Sequence, residues 1–346
     1  MKNIEVSLKQ FMEFSNSIGK RLDYVQGGGG NTSFKVDQDT MLIKASGYYL
    51  TQVSENDGFA ILNYPKIQEF FYSVDLIKEE DIEASGSKTV MDSKLTKEGF
   101  PELRPSVEAG FHSILGKWVA HTHSVYTNIV LCSETAQELL EKIFSKIDYI
   151  YVPYVNPGSR LTVEILKEIE KFQKDNQGRS PMVIFMQNHG VIVHAEEMQE
   201  CFDLHQEVNQ IICDYFSIDW SDYPISKIEK QAEDEYVSAT TYLINTLKKG
   251  EYTAETLLSD PLYPDQIVYL EDTLNNTAKI DKLSGQITYK IPYKEALLLE
   301  QSLTAILYIM NNIQNQNLKI KYMHGSEQDF IKNWESEKYR KELSRE

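Results

Sequence analysis

Residues 119–125 read Val119-Ala120-His121-Thr122-His123-Ser124-Val125. In an extended strand alternate side chains share a face, so His121 and His123 point the same way. Neutral imidazole is the commonest nitrogen ligand of divalent metals, which gives one reason for such a pair. Two structural histidines held by hydrogen bonds are the other reading, and an isolated H-x-H does not separate the two.

The flanking sequence narrows the choice. Upstream, Arg104-Pro105-Ser106-Val107-Glu108-Ala109-Gly110-Phe111-His112 carries helix-start signals, with proline near the first turn and Ser106 as a cap. Glu108 then falls in the first helical turn, a short way before the histidine strand. It reads either as a carboxylate favoured by the helix dipole or as a site residue. His112, one turn on, reads as a core or helix-surface residue, with a fourth ligand as the alternative. Downstream, Met182-Val183-Ile184-Phe185-Met186 is a buried strand broken by Asn188-His189-Gly190. His189 at the mouth of that strand is placed like a ligand. His194 differs from it in parity and stays outside the site.

Further upstream, residues 8–24 show helical apolar spacing, followed by Gly27-Gly28-Gly29-Gly30-Asn31-Thr32-Ser33. The glycines allow close backbone approach to a ligand, and the polar residues suit an oxyanion. A flexible turn is the competing reading, and no Gly-Lys-Ser/Thr closes a P-loop. Met41-Leu42-Ile43-Lys44-Ala45-Ser46-Gly47 is a strand entering a tight turn. Lys44 and Ser46-Gly47 resemble the second side of a phosphate cradle. Residues 74–98 are polar and read as a surface insertion. Helices are expected over 135–147, 161–174 and 196–217, and a strand at Tyr149-Ile150-Tyr151-Val152.

The 346-residue chain is 41% hydrophobic and 25% charged, with a formal charge of −17. The composition fits a folded globular protein, and the length suits one large domain plus a smaller one, or two domains of ordinary size. The acidity argues against general nucleic-acid or anionic-membrane binding. Three cysteines without C-x-x-C spacing fit a reducing compartment. No apolar run approaches membrane-spanning length and no signal-peptide core is visible, so the cytoplasm is the expected location.

Taken in order, Gly-Gly-Gly-Asn-Thr-Ser, Ile-Lys-Ala-Ser-Gly, Pro-Ser-Val-Glu, His-Thr-His and Asn-His-Gly resemble the class II aldolase/adducin family over about residues 8–217. The resemblance implies an α/β chain of α+β type, with a central, mainly antiparallel sheet flanked by helices. It also implies a homotetramer with sites between subunits. It implies that His121, His123 and His189 hold one Zn2+ or another divalent metal per chain, and that Glu108 is the acid/base carboxylate. Gly30, Asn31, Ser46, Gly47 and Ser106 match positions that hold a substrate phosphate. Two departures stand out. Ser106-Val107-Glu108 replaces the Ser-Ser-Glu frequent in the aldolases, and the tyrosine that one branch lends from a neighbouring subunit has no clear counterpart. Tyr149, Tyr151 and Tyr154 are candidates for it, and an unphosphorylated substrate stays open.

Three histidines leave open positions for substrate on a catalytic ion, and a Lewis acid there stabilises the enediolate of C–C cleavage. The expected activity is therefore reversible aldol cleavage of a sugar or sugar phosphate. Dehydratases and epimerases on the same site are the enzymatic alternatives; the resemblance associates epimerases with aspartate at position 108. An adducin-like interaction domain is the non-catalytic alternative, and it lacks the ligand set this chain retains. Residues 218–346 read as a small α+β appendage that narrows substrate access, beyond a first domain of residues 1–217. A helix is expected over Lys227–Leu247 and a short strand after Pro264. A hairpin is expected over 279–290, a long apolar-striped helix over 294–313, and a terminal surface helix around Trp334 and Tyr339. Asp265 and His324 have no assigned role.

Overall fold

The computed structural model describes residues 2–75, 79 and 81–334. Helix α1 (Lys2–Gly19) leads through the glycine run into β1 (Asn31–Lys35), β2 (Thr40–Lys44) and β3 (Phe59–Asn63). Helices α2 (Tyr64–Ser73), α3 (Ile82–Asp92) and α4 (Ala109–Ile114) precede β4 (Trp118–Thr122). Helices α5 (Val125–Leu131) and α6 (Ala136–Ile143) lead to β5 (Tyr149–Val152), and α7 (Ser159–Asp175) to β6 (Val183–Met186), β7 (Gly190–Ala195) and α8 (Met198–Phe216). The seven strands form one sheet in the order β3-β2-β1-β4-β7-β6-β5. Its pairings are antiparallel except β5 with β6. The histidine strand β4 is thus the middle of the sheet.

Alternation along β4 explains the layering. Trp118 and Ala120 face a core built with α1, α5 and α8, while Val119 faces Phe111 of α4 and Leu161 and Ile165 of α7. His121 shares the face of Val119 and meets Phe111 edge-on at 5.7 Å. Residues 74–98 are more than a surface insertion: Ile82 and Val90 of α3 join the core over β2 and β3. Glu83 of that helix accepts the Ser159 and Arg160 backbone N–H groups at the start of α7, both at 2.8 Å.

The C-terminal part holds β8 (Ile228–Ala232), β9 (Glu235–Ser238), α9 (Thr241–Lys248), α10 (Ala254–Ser259) and α11 (Pro264–Asn276). Then come β10 (Ala278–Ile280), β11 (Ile287–Tyr289), α12 (Tyr293–Asn315) and α13 (Gly325–Asn333). Its strands form a second sheet, β10-β11-β9-β8. The hairpin over 279–290 and the long helix match the sequence reading. Two expectations do not hold. Residues 227–247 are not one helix: β8 and β9 occupy the first half, turning at Asp234 in a left-handed conformation (φ 49°). The short strand after Pro264 is helix α11, because the proline sits at the helix start, where its fixed φ and missing N–H are tolerated. Tyr339 and the charged tail of the expected terminal helix lie outside the described residues.

Helix α12 is buried along most of its length. Leu303, Ile306 and Leu307 have no exposed surface and share one continuous core with Ile129 and Val130 of α5. Each such side chain contributes on the order of 1.5–3 kcal/mol by burial. No helix among the described residues is long and apolar enough to cross a membrane.

Candidate metal centre and cleft

The histidines converge because three elements end at one place. His121 is the last residue but one of the middle strand, His123 lies one residue beyond its end, and His189 sits in the turn between β6 and β7. That turn runs through Asn188 in the left-handed region (φ 51°). A side chain at Gly190 would come within 2.2 Å of the Thr122 carbonyl oxygen, so only glycine lets the turn close on β4. All three rings are buried, and one ligand nitrogen from each lies within 4.8 Å of the others.

Hydrogen bonds on the far side of the His121 and His123 rings fix their tautomers. His121 Nδ1 donates to the Val191 carbonyl at 3.1 Å, and His123 Nδ1 donates to Asp265 Oδ2 at 2.6 Å. In neutral rings this leaves lone pairs on both Nε2 atoms, which face each other at 3.1 Å. Burial disfavours the protonated form of His121, whose pKa is pushed well below the ordinary value. Two facing lone pairs need a positive charge between them. Nitrogens each 2.0–2.1 Å from one ion stand about 3.3 Å apart, close to this spacing. The donor set therefore fits a divalent metal ion.

Glu108 stands at the N-cap of α4, one residue before the helix, and its carboxylate reaches the triad. Oε1 lies 3.2 Å from His189 Nε2 and Oε2 lies 3.6 Å from His121 Nε2. Burial opposes its charge, and hydrogen bonding from the His189 ring works the other way, favouring the carboxylate. Asn31 Nδ2 donates to Oε2 at 2.6 Å and to Ser106 Oγ at 3.0 Å. Oε1 is turned away from Asn31 and toward His189.

His112 orients Asn31. Its Nε2 bonds Asn31 Oδ1 and its Nδ1 bonds Ser33 Oγ at 2.7 Å. Burial pushes its pKa down to about 3, so the ring is neutral and donates to Asn31 through Nε2. The amide N–H groups of Asn31 then have to face Glu108 and Ser106. His112 is not part of the histidine triad.

One narrow cleft is lined by Gly28, Gly30, Asn31, Lys44, Ser46, Gly47, Ser106, Glu108, His123 and His189, together with Val107, Pro157, Pro264 and Asp265. His121 lies buried behind it. Lys44 Nζ donates to the carbonyls of Tyr48 at 2.7 Å and Gly28 at 3.2 Å, tying the two glycine turns together. Neither Tyr149, Tyr151 nor Tyr154 lines the cleft. Tyr149 packs on Phe144 and Phe185, and Tyr154 packs against the cluster of Ile267, Val268 and Tyr269. His194 is outside as well; its Nδ1 accepts the Gly116 N–H at 3.2 Å.

The residue that the sequence reading left without a role is Asp265, whose neighbour Pro264 also lines the cleft. The C-terminal part meets the site at further points. Asn188 Nδ2 donates to the carbonyls of Leu262 and Lys321, both at 2.7 Å. A side chain at Gly27 would strike Leu298, one at Gly28 would approach the Tyr269 hydroxyl, and one at Gly29 would strike Asp265. The glycine run thus accommodates α11 and α12 as well as bordering the cleft.

The family model described as Class II Aldolase and Adducin N-terminal domain matches residues 9–213. Among solved structures, the N-terminal class II aldolase domain of a conserved protein from Thermoplasma acidophilum is 21% identical. The match covers 60% of this chain and 92% of that one, with a TM-score of 0.48. A sugar-phosphate aldolase from Thermotoga maritima is 15% identical over 58% of this chain and 92% of its own, with a TM-score of 0.39. The l-fuculose-1-phosphate aldolase from Thermus thermophilus is 11% identical over 63% and 94%, with a TM-score of 0.37. No curated protein matches. The family match spans the central sheet and every motif around the cleft, and on it the chain belongs to the class II aldolase and adducin family.

Proposed function

We propose that this protein is a metal-dependent lyase that cleaves a sugar or sugar phosphate by a reversible aldol reaction. The observation that carries the reading is the carboxylate of Glu108, with one oxygen turned to His189, set against a buried three-histidine group inside a polar cleft. His121, His123 and His189 would hold one Zn2+ or another divalent ion. When bound, that ion supplies Lewis acidity toward a carbonyl and the negative charge that develops beside it.

The chain's own groups do the rest. Glu108 Oε1 is the atom that carries the proton, because Oε2 is engaged by Asn31. His112 and Asn31 hold the carboxylate in place so that Oε1 faces the triad. Gly30, Asn31, Ser46, Gly47 and Ser106 bind the substrate's phosphate or terminal hydroxyls through hydroxyl and backbone N–H groups. Lys44 adds positive charge beneath the turns and keeps them in register. Burial of Glu108 and the histidines keeps bulk water from the reacting carbon.

The same reading takes residues 1–217 as the catalytic domain, residues 218–346 as its extension, the assembly as a homotetramer and the location as the cytoplasm. Incubating metal-loaded protein with a panel of ketose phosphates and free ketoses, and identifying the products, tests it. An aldehyde plus a ketone supports cleavage. A keto-deoxy sugar points to dehydration, an epimer to epimerisation, and no turnover by metal-loaded protein to a binding role.

A further inference from the structure

We propose that Asp265, delivered by the segment beyond the matched family region, is a positioning residue of the metal centre that sets His123 as a ligand. The proposal rests on the metal-site reading above. Asp265 Oδ2 lies 2.6 Å from His123 Nδ1, across 142 residues of sequence, and both groups are buried. The contact is on the far side of the ring from the nitrogen that faces His121. A carboxylate there accepts the Nδ1 proton, presents the Nε2 lone pair to the ion and makes that nitrogen more basic.

The surroundings hold Asp265 in that pose. It stands in the first turn of α11, directly after Pro264, where the helix dipole favours a carboxylate. The helix start is anchored by Gln266, whose Oε1 accepts the Leu262 N–H at 2.8 Å and whose Nε2 donates to the Leu257 carbonyl at 2.7 Å. The Tyr263 ring meets His123 edge-on at 6.2 Å. On the other side Gly29 leaves no room for a side chain, since an added carbon would lie 2.3 Å from Asp265 Oδ2. The same segment also grips the turn that carries His189, through the Leu262 carbonyl on Asn188. One histidine is therefore oriented, and the turn that carries a second is held, by residues outside the family's matched region, and the extension is part of the metal centre.

The test uses the full-length chain. Wild type and Asp265→Asn are stripped with a chelator, then titrated with Zn2+ against a chromophoric competitor and with Co2+ by visible absorption. The substitution keeps the shape and removes the charge. The expected result is Zn2+ binding about 10–100-fold weaker, a changed Co2+ spectrum, and a folded apo-protein. If Asp265→Asn does not accumulate folded, Asp265→Ser makes the same comparison with a smaller side chain. Unchanged affinity and an unchanged Co2+ spectrum, with or without a loss of apo stability, overturn the proposal and leave the metal site standing. Wild type that takes up neither ion overturns both.

Discussion

Replacing Gly29 by alanine perturbs the joint between the two parts of the chain at a single carbon. The added carbon would lie 2.3 Å from Asp265 Oδ2, 3.0 Å from the Gln26 carbonyl oxygen and 3.1 Å from His123 Nδ1. Non-bonded heavy atoms rest at about 3.5 Å or more, so the largest overlap is about 1 Å. The Gln26 oxygen is backbone, and the cheaper release is for Asp265 to swing away. A movement of about 1 Å stretches its 2.6 Å bond to His123 beyond hydrogen-bond range. Losing a hydrogen bond to a charged group costs about 1.5–3 kcal/mol, and residual overpacking brings the total to about 3 kcal/mol. At roughly 2–4 °C per kcal/mol for a large domain, the apo-protein should melt about 6–12 °C lower. Zn2+ affinity should fall about 10–100-fold as His123 loses its carboxylate. Gly28→Ala is the control, because its nearest neighbour is the Tyr269 hydroxyl at 3.1 Å and the next lies at 3.7 Å; it should cost under about 1 kcal/mol. Thermal melts of both apo variants and a Zn2+ titration decide the matter. Wild-type melting and affinity in Gly29→Ala, or greater damage from Gly28→Ala, would refute the reasoning.

Other outcomes follow from the same structure. Glu108→Gln should retain stoichiometric metal yet lose about 10²–10⁴-fold in turnover, and full activity would remove Glu108 from the chemistry. Ile306→Ala, at a fully buried position of α12, should cost about 2–5 kcal/mol in urea unfolding. Because α12 shares its core with α5, the chain should still unfold in one transition; two separate transitions would contradict a shared core. Burial, assisted by nearby Arg21, pushes the His205 pKa down to about 4. The native state thus binds fewer protons than the unfolded state between about pH 6.5 and 4, so stability drops as pH falls through that window. At pH 5 this group alone costs about 2 kcal/mol relative to neutral pH, and His205→Asn should flatten the dependence of the urea midpoint on pH.

The site motifs could be read from the sequence because each rests on local backbone rules. Alternation placed His121 in a strand, and the Asn188-His189-Gly190 break marked a turn that the structure shows bending through a left-handed Asn188. The helix signals around Pro105 and Ser106 found the helix start, but the N-cap is Glu108 and not Ser106, two residues later than expected. The C-terminal part was less readable. Residues 228–235 are rich in Glu, Lys, Gln and Ala, good helix formers, yet they form a mostly exposed hairpin whose pairing with β11 through β9 outweighs propensity. Ile267-Val268-Tyr269-Leu270 looked like a strand because β-branched and aromatic residues favour one. Its burial against Leu298 and Met323, and the Pro264 start, made it a helix. Asp265 could not be given a role from the sequence, because its partner His123 is 142 residues away. The glycine run was read as room for a ligand, and nothing in the sequence showed that Leu298, Tyr269 and Asp265 would also press on it.

The metal content of untagged protein, measured by elemental analysis beside a His121→Ala/His123→Ala variant, is the most direct check on the three-histidine centre. About one zinc or other divalent ion per chain in the wild type, absent from the variant, is the predicted result. Wild-type protein that carries no metal and takes up none on reconstitution would contradict it and leave the cleft a binding site without the proposed chemistry.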